Sequence, residues 1–239
     1  MKTRLFAIIA LLFCASHSYS ESFYYDVPLI KPDGTETTVR MKFDKFDRYR
    51  CTVGSVYQDP VIDQSTVGMI LIPSRAAGLE VTGIRNQSFK YCSGLTSINI
   101  PNSVTWIGAD AFLGCSSLTS INIPNSVTSI GQSAFYWCYN LQKVIIDDIE
   151  SWCKINFQSE SSNPLFKGGH LYNNENKEIT NVIIPEEIKI INNYAFCNYT
   201  ALTSIDIPNS VTTIGDYAFY GCSGLTSITI PNSVTTIGD

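Results

Sequence analysis

A 23-residue spacing between like residues is the feature of this sequence that most limits how it can fold. The spacing separates Phe89, Phe112 and Phe135, and it separates Phe196 from Phe219. Prolines and isoleucines follow it too, and the shared unit reads L-x-x-I-x-I-P-x-x-V-x-x-I-G-x-x-A-F-x-x-C. One unit has too many apolar residues to bury alone, whereas stacked units share a continuous core. The repeat therefore predicts a solenoid.

Each part of the unit predicts a local structure. The segment L-x-x-I-x-I is typical of a short strand with inward Leu and Ile, and the proline after it ends the strand pairing. The V-x-x-I segment predicts a short return strand. Gly108, Gly131 and Gly215 then predict a bend with positive φ. The A-F-x-x-C segment predicts a helical turn that places its phenylalanine in the core.

The seven predicted units differ in length. They cover residues 67–94, 95–117, 118–140, 141–178, 179–201, 202–224 and 225–239. The fourth unit is the longest, and the last lacks its A-F-x-x-C segment, so Ile228, Ile230, Val234 and Ile237 have no following unit to cover them. We expect a frayed last turn, end-to-end self-association, or a chain that is a truncated relative of a longer protein.

The N-terminus predicts export. Lys2 and Arg4 precede a short apolar run, and small residues then mark a cleavage site before Glu21. We interpret residues 1–20 as a signal peptide, with a lipid anchor at Cys14 as the alternative. No later stretch of the sequence is long and apolar enough to span a bilayer.

Residues 21–66 lie between the signal peptide and the repeats. They show strand-like alternation broken by the turn sequence Pro-Asp-Gly at residues 32–34. A solenoid needs a cover for its first core layer. We therefore interpret this segment as a small N-terminal β cap, and the alternative is a separate ligand-binding domain.

Charge and composition argue against several functions. Loss of the signal peptide removes two positive charges and no acid, which takes the net charge from −5 to about −7. A chain this acidic is not expected to bind nucleic acid or an anionic membrane by bulk electrostatics. Only His170 remains of two histidines, and we expect it to form hydrogen bonds in a loop. We expect no metal, no cofactor and no enzymatic activity.

Acidic and cysteine clusters also have structural explanations. Asp147, Asp148 and Glu150 lack the spacing of a calcium loop and predict a solvated turn. A core ladder is predicted from a shared repeat position, which holds cysteine in four units and Tyr199 in the fifth. The ladder cysteines are Cys92, Cys115, Cys138 and Cys222. Their parallel side-chain directions favour buried thiols, with disulfides and a metal site as alternatives.

The unit L-x-x-I-x-I-P-x-S-V-T-x-I-G-x-x-A-F-x-x-C closely resembles the BspA-like, or Treponema-type, leucine-rich repeat. The resemblance covers residues 67–239 and implies a leucine-rich-repeat solenoid of the α/β class, with a parallel sheet on the concave side and return strands and helical turns on the convex side. Proteins of this family are surface or secreted proteins of anaerobic bacteria and some protists. The resemblance implies an extracellular binding role, and it does not identify a ligand.

A candidate binding site lies where the repeat is interrupted. The outward strand positions of other units are mainly Ser, Asn, Asp or Thr, but they are Lys143 and Ile145 in the fourth unit and Asn181 and Ile183 in the fifth. We predict that these two isoleucines lie side by side and need a cover or a partner. The enlarged unit adds Trp152, Phe157, Phe166, His170 and Tyr172. Its loop either covers the isoleucines and packs its own aromatics, or forms a ligand patch with them.

The leading functional hypothesis is an exported scaffold for adhesion or protein recognition at the bacterial surface, with a host or bacterial surface protein as its partner. The first alternative is a glycan-binding accessory protein of polysaccharide capture, and the second is a structural surface spacer. Exposed, coplanar aromatics on the enlarged unit would favour glycan binding, whereas buried ones would favour protein recognition.

Overall fold

A computed structural model of the chain describes residues 21–54 and 60–239, so the predicted signal peptide lies outside the described residues. The fold is a β-solenoid of about seven turns. In chain order its strands are β1 (Ser22–Ile30), β2 (Glu36–Lys45), β3 (Arg50–Val53), β4 (Gly68–Leu71), β5 (Arg75–Ala76), β6 (Leu79–Ile84), β7 (Leu95–Asn99), β8 (Trp106–Ile107), β9 (Ser120–Ile123), β10 (Ser129–Ile130), β11 (Lys143–Ile146), β12 (Asn156–Phe157), β13 (His170–Tyr172), β14 (Asn181–Ile183), β15 (Ile190–Ile191), β16 (Ser204–Asp206), β17 (Thr213–Ile214) and β18 (Thr236–Ile237). Helix α1 (Ile149–Lys154) lies between β11 and β12, and a 3-10 helix (Glu160–Ser162) lies between β12 and β13.

Two rows of parallel strands run along the solenoid. The front strands β4, β7, β9, β11 and β13 pair in that order, and β14 pairs separately with β16. The return strands β6, β8, β10 and β12 form the second row, which β15, β17 and β18 repeat further along. The predicted leucine-rich-repeat solenoid with a parallel sheet is confirmed, and its helix content is low.

Stacked phenylalanine rings fill the space between the two rows. The centroids of Phe89 and Phe112 are 5.3 Å apart, and those of Phe112 and Phe135 are also 5.3 Å apart, with nearly parallel planes. Phe196 and Phe219 stack in the same way at 5.6 Å. Such pairs add attraction to the burial of the rings themselves. The 23-residue spacing thus forms ladders of rings.

The A-F-x-x-C segments stack through their backbones. The N–H of Phe89 donates to the carbonyl of Ala111 at 2.8 Å, and the N–H of Phe112 donates to that of Ala134 at 2.9 Å. Within each segment the cysteine N–H bonds three residues back, as Cys115 does to Phe112. These segments are hydrogen-bonded turns rather than helix.

Three repeat glycines are explained by close packing and not by positive φ, so that prediction was wrong. Gly108, Gly131 and Gly215 do not have positive φ, unlike Gly114 and Gly221. A Cβ atom on any of the three would approach backbone of the preceding unit to about 2.4–2.5 Å. No other side chain fits in that space. Glycine therefore lets consecutive units approach at this bend.

The strands before the repeats cover the first turn. β1 pairs antiparallel with β2 on one side and with β4 on the other. β3 pairs antiparallel with β2 and parallel with β6. One continuous sheet therefore joins the front strands to the return strands across this end of the core. Val27, Met41 and Phe43 point inward and are fully buried.

The last unit is less covered than the others. Residues 225–230 form no strand, and Ile228, Ile230 and Ile237 are exposed. Val234 is partly buried against the core. End-to-end self-association through these residues stays a prediction.

Replacing Phe112 by Ala should lower the free energy of unfolding by about 3–5 kcal/mol, because it removes the central ring of a stacked, fully buried triplet. Denaturant unfolding followed by circular dichroism measures the change. The matched control is Tyr139→Ala, because Tyr139 is exposed and its loss should cost less than about 0.5 kcal/mol. Equal effects of the two changes would contradict the ladder as a source of stability.

Candidate functional site

The enlarged fourth unit adds a strand to the front row. β13 pairs with β11, so that Lys143 lies opposite His170 and Ile145 lies opposite Tyr172. Ile183 lies on β14, which pairs with β16 instead. The prediction that Ile145 and Ile183 lie side by side was therefore wrong, because an unrecognised strand takes the place beside β11.

Two aromatic residues of the enlarged unit belong to the core. Trp152 and Phe157 are about 1–2% exposed, and their ring centroids are 5.3 Å apart. The indole N–H of Trp152 donates to the carbonyl of Ala195 at 2.8 Å, and the buried amide of Asn163 donates to the same oxygen at 3.2 Å. In a regular unit the backbone N–H of a phenylalanine donates to this alanine carbonyl, and here the two side chains take its place. Both rings were predicted as ligand contacts, and their burial makes them unavailable to a ligand.

Four predicted residues do come together on the outer face of β11 and β13, and we call them the front patch: Lys143, Ile145, His170 and Tyr172. Val144 and Leu171, which alternate with them, are fully buried. The ammonium of Lys143 lies 5.2 Å from the centre of the Tyr172 ring and also contacts the side chain of Asn176. A cation over an aromatic face is a favourable pair. The patch thus presents a charge, an apolar side chain and a ring on neighbouring strands.

A turn after β13 forms one border of the front patch. His170 Nδ1 lies 2.6 Å from a carboxylate oxygen of Glu178, and Tyr172 pairs with Glu178 in an antiparallel bridge. The residues between Tyr172 and Glu178 form a turn, which is closed by a hydrogen bond from the N–H of Asn173 to the carbonyl of Lys177 at 2.9 Å. Beyond this turn lies an open cleft of about 250 Å³ that reaches Thr180 and Asn181. His170 is therefore a strand residue rather than the predicted loop residue.

Ile183 is a strongly exposed apolar residue on the front strands. Its side chain is 72% exposed on β14, beyond the turn that follows β13. Its strand partner is Asp206, and its neighbour Asn181 accepts hydrogen bonds from the hydroxyls of Thr203 and Ser204 at 2.9 Å. An apolar side chain this exposed on a strand gains from a partner that covers it.

Polar front residues of other units bond to one another. Ser120 donates to Ser97 at 2.9 Å, and the amide of Asn122 bonds both the N–H and the carbonyl of Ile100. Their hydrogen-bonding groups are therefore largely used within the sheet. These polar front residues therefore have a structural role in joining neighbouring units.

Phe166 lies away from the front patch, among aromatics of the A-F-x-x-C turns. It is 6.2 Å from Tyr136, which stacks on Trp137 at 5.3 Å. Tyr91 reaches to 6.5 Å from Trp137 by leaning over Gly114, where a Cβ would meet the Tyr91 ring at 2.5 Å. Sequence reasoning missed these exposed rings. Their signal is one repeat position that holds glycine in some units and an aromatic residue in others.

The acidic cluster has structural partners. Asp148 caps α1 by accepting the N–H of Ser151 at 2.6 Å. Asp147 accepts the N–H of Asn125 at 2.8 Å and the side-chain amide of Asn174 at 2.9 Å. Within residues 21–54 and 60–239, no group of three or more metal-ligating side chains lies close enough to hold an ion. The longest helix there has six residues, too few to cross a bilayer.

The cysteines of the described residues are all free and buried. Thiols of Cys115, Cys138 and Cys222 each donate to the phenylalanine carbonyl of the preceding unit, at 3.0–3.1 Å. Burial raises the pKa of Cys138 to about 12, and it raises the pKa of Cys222 to about 11. These thiols stay protonated at neutral pH and act as core residues.

Comparisons with known proteins agree with the repeat architecture. The model of the BspA type leucine rich repeat region matches residues 80–165 and 170–239, in six copies. A leucine-rich repeat protein of T. pallidum is 23% identical, with a TM-score of 0.53 and 83% of each chain covered. A leucine-rich cell surface protein from Faecalibacterium prausnitzii A2-165 is 28% identical, with a TM-score of 0.55, over 83% of this chain and 48% of that one. No curated protein matches the chain.

Alkaline pH should reveal the buried thiols. The pKa of Cys138 is raised from 9.0 to about 12, so its contribution to stability is complete below pH 9 and is lost as the pH rises toward 12. The Cys138→Ala variant should therefore lose stability less steeply above pH 9, by up to about 1.4 kcal/mol per pH unit. Denaturant unfolding at several pH values measures the slope. Identical slopes for the two proteins would contradict a protonated, buried Cys138.

Proposed function

The chain belongs to the family of BspA-type leucine-rich repeat proteins, and from this premise we propose that it is an exported, non-enzymatic scaffold for adhesion or protein recognition at the bacterial surface. The observation that carries the proposal is the change of the front face from self-bonded polar residues to the front patch and Ile183. The signal-like N-terminus supports export, and so does the similarity to a cell surface protein of F. prausnitzii.

The front patch has the chemistry of a protein-binding surface. Interface residues that contribute most to affinity are enriched in Trp, Tyr and Arg and lie near the well-packed centre of the interface. Tyr172 supplies a ring with a hydroxyl, Lys143 supplies a charge above it, and Ile145 supplies apolar area beside it. Ile183 adds an exposed apolar contact across the turn. A partner that lies along β11, β13 and β14 would cover all four side chains.

The arrangement of aromatics in the enlarged unit favours a protein partner for this face over a glycan. Trp152 and Phe157 are buried, and Phe166 belongs to the turn side. The front patch then has Tyr172 as its aromatic ring, and Lys143 lies over that ring. A sugar would compete with the lysine for the ring face, whereas a protein carboxylate could bind the lysine and leave the ring in place.

Binding of the chain to immobilised extracellular-matrix proteins tests the proposal. Ile183→Ser, Tyr172→Ala and Lys143→Ala should each weaken binding about tenfold, because each removes a contact of the covered face. Biolayer interferometry measures the affinity, and circular dichroism verifies the fold of each variant.

The matched control is Ile190→Ser. Ile190 is an exposed isoleucine of the same unit, but it lies on the return strand β15. Its replacement should leave binding unchanged. The proposal fails if the folded front variants bind as well as the unchanged chain, if Ile190→Ser is equally harmful, or if no matrix protein binds.

A further inference from the structure

A second surface, on the return side of the solenoid, has the properties of a small-molecule site. Its central residue is Trp106 on β8, which lies in register with Gly83 on β6 and Ser129 on β10. Thr213 and Thr236 hold the same place in the sixth and seventh units. The fourth and fifth units have Asn156 and Ile190 at this place, so Trp106 is the one aromatic residue at this position of the seven units.

Gly83 lacks a side chain at the place where the indole of Trp106 lies. A Cβ at position 83 would lie 2.3 Å from Cε2 and 2.4 Å from Nε1 of the indole, so any other residue would displace the ring. The glycine thus lets the indole lie against the β6 backbone. Trp106 remains partly exposed there, and its N–H has no acceptor among the described residues. Gly83 and Trp106 both depart from the repeat, and together they position one partly exposed aromatic ring.

The indole borders a cleft at the junction of the repeats with the N-terminal strands. The cleft has a volume of about 390 Å³, within the usual range of roughly 300–1,000 Å³ for small-molecule sites. Two rings line it, and polar side chains lie between them. The lining residues used below are Phe46, Arg50, Glu80, Asn102, Ser103 and Trp106.

One hydroxyl in the lining has lost its structural partner. The equivalent serines of other units, Ser126 and Ser210, donate to carbonyls of the preceding unit at 2.7 and 2.9 Å. The Oγ atom of Ser103 is buried and has no partner among the described residues, as is also true of Ser233 in the last unit. A buried hydroxyl without a partner costs free energy. At Ser103 the neighbouring cleft offers room for a ligand that supplies one.

The charges of the cleft favour a neutral ligand. Arg50 is already bound by Asp47, whose carboxylate accepts its Nε–H at 2.6 Å, and its guanidinium lies 5.0 Å from the centre of the Phe46 ring. Glu80 is the register partner of Arg50 on the neighbouring strand β6, so a negative charge lies beside the positive one. No unpaired cation is left among the lining residues to attract a phosphate, sulfate or carboxylate.

We propose that this cleft binds one unit of a neutral saccharide, with its ring stacked on the indole of Trp106. The C–H face of a pyranose ring is apolar and suits an aromatic surface, while its hydroxyls both donate and accept hydrogen bonds. Glu80 accepts, Asn102 does both, and the hydroxyl of Ser103 gains the partner that it lacks. The site lies on the return row of strands, apart from the front patch, and does not depend on the proposed protein recognition.

The three tryptophans of the chain allow a direct test by nuclear magnetic resonance. Cellotriose, maltotriose and triacetylchitotriose are each titrated into the ¹⁵N-labelled full chain, and the indole N–H signals are followed. At least one sugar should shift the Trp106 signal saturably, with a Kd of about 1 mM. Trp152 is the internal control because its N–H is buried and bonded to Ala195. Trp137 is the control for unspecific stacking because it is exposed on the turn side.

Variants separate binding from folding. Trp106→Ala should abolish the shift of backbone signals around the cleft, and Ser103→Ala should weaken binding about fivefold, as expected for one hydrogen bond. Trp137→Phe should bind as the unchanged chain does. The proposal is overturned if no sugar shifts Trp106, if Trp137 shifts equally, or if a folded Trp106→Ala protein still binds. Binding to the front patch is unaffected by any of these results.

Discussion

Stacking of each unit on the next through fixed backbone hydrogen bonds is the constraint on which the rest of this molecule depends. The N–H of a core phenylalanine reaches the alanine carbonyl of the following unit, and this places the rings at 5.3–5.6 Å. The positions of the core phenylalanine rings, the buried thiols and the repeat glycines all follow from this spacing between units. A thiol donates to the carbonyl of the phenylalanine one unit before it, and a glycine leaves room for the neighbouring backbone. The core of a repeat protein is in this sense one contact made many times.

The fourth unit shows how such a stack accepts an irregular turn. Trp152 and Asn163 supply side-chain donors to a carbonyl that a backbone N–H would otherwise bind, so the next unit still stacks in place. The extra residues of the fourth unit form β13 and the turn that follows it, and both lie on the front face. Buried side chains thus keep the stack intact while exposed ones change the surface. The candidate sites on both faces occur where residues depart from the repeat without breaking this stack.

The sequence predicts the stack well because its period fixes which residues meet. The phenylalanine ladder, the inward Leu and Ile and the strand rows follow from spacing alone. Gly108 shows the limit, because positive φ and close approach both select glycine and only the three-dimensional structure distinguishes the two. β13 was missed because three residues, His170 to Tyr172, give too short a pattern to predict a strand. The predicted neighbour of Ile145 was therefore wrong. The prediction that Trp152 and Phe157 contact a ligand was also wrong, because both rings are buried.

The antiparallel pairing of β1 with β4 has a consequence for association. The front strands β4, β7, β9, β11 and β13 pair in parallel. A further unit before β4 would have to pair its own front strand in parallel with the outer edge of β4. β1 occupies that edge in the opposite direction, and β2 and β3 have partners on both sides. In the part of the chain that the structure describes, this pole of the solenoid has no free strand edge to serve as a template for another chain. The two ends of the solenoid therefore differ, because the three N-terminal strands prevent another unit from adding at the end that they cover.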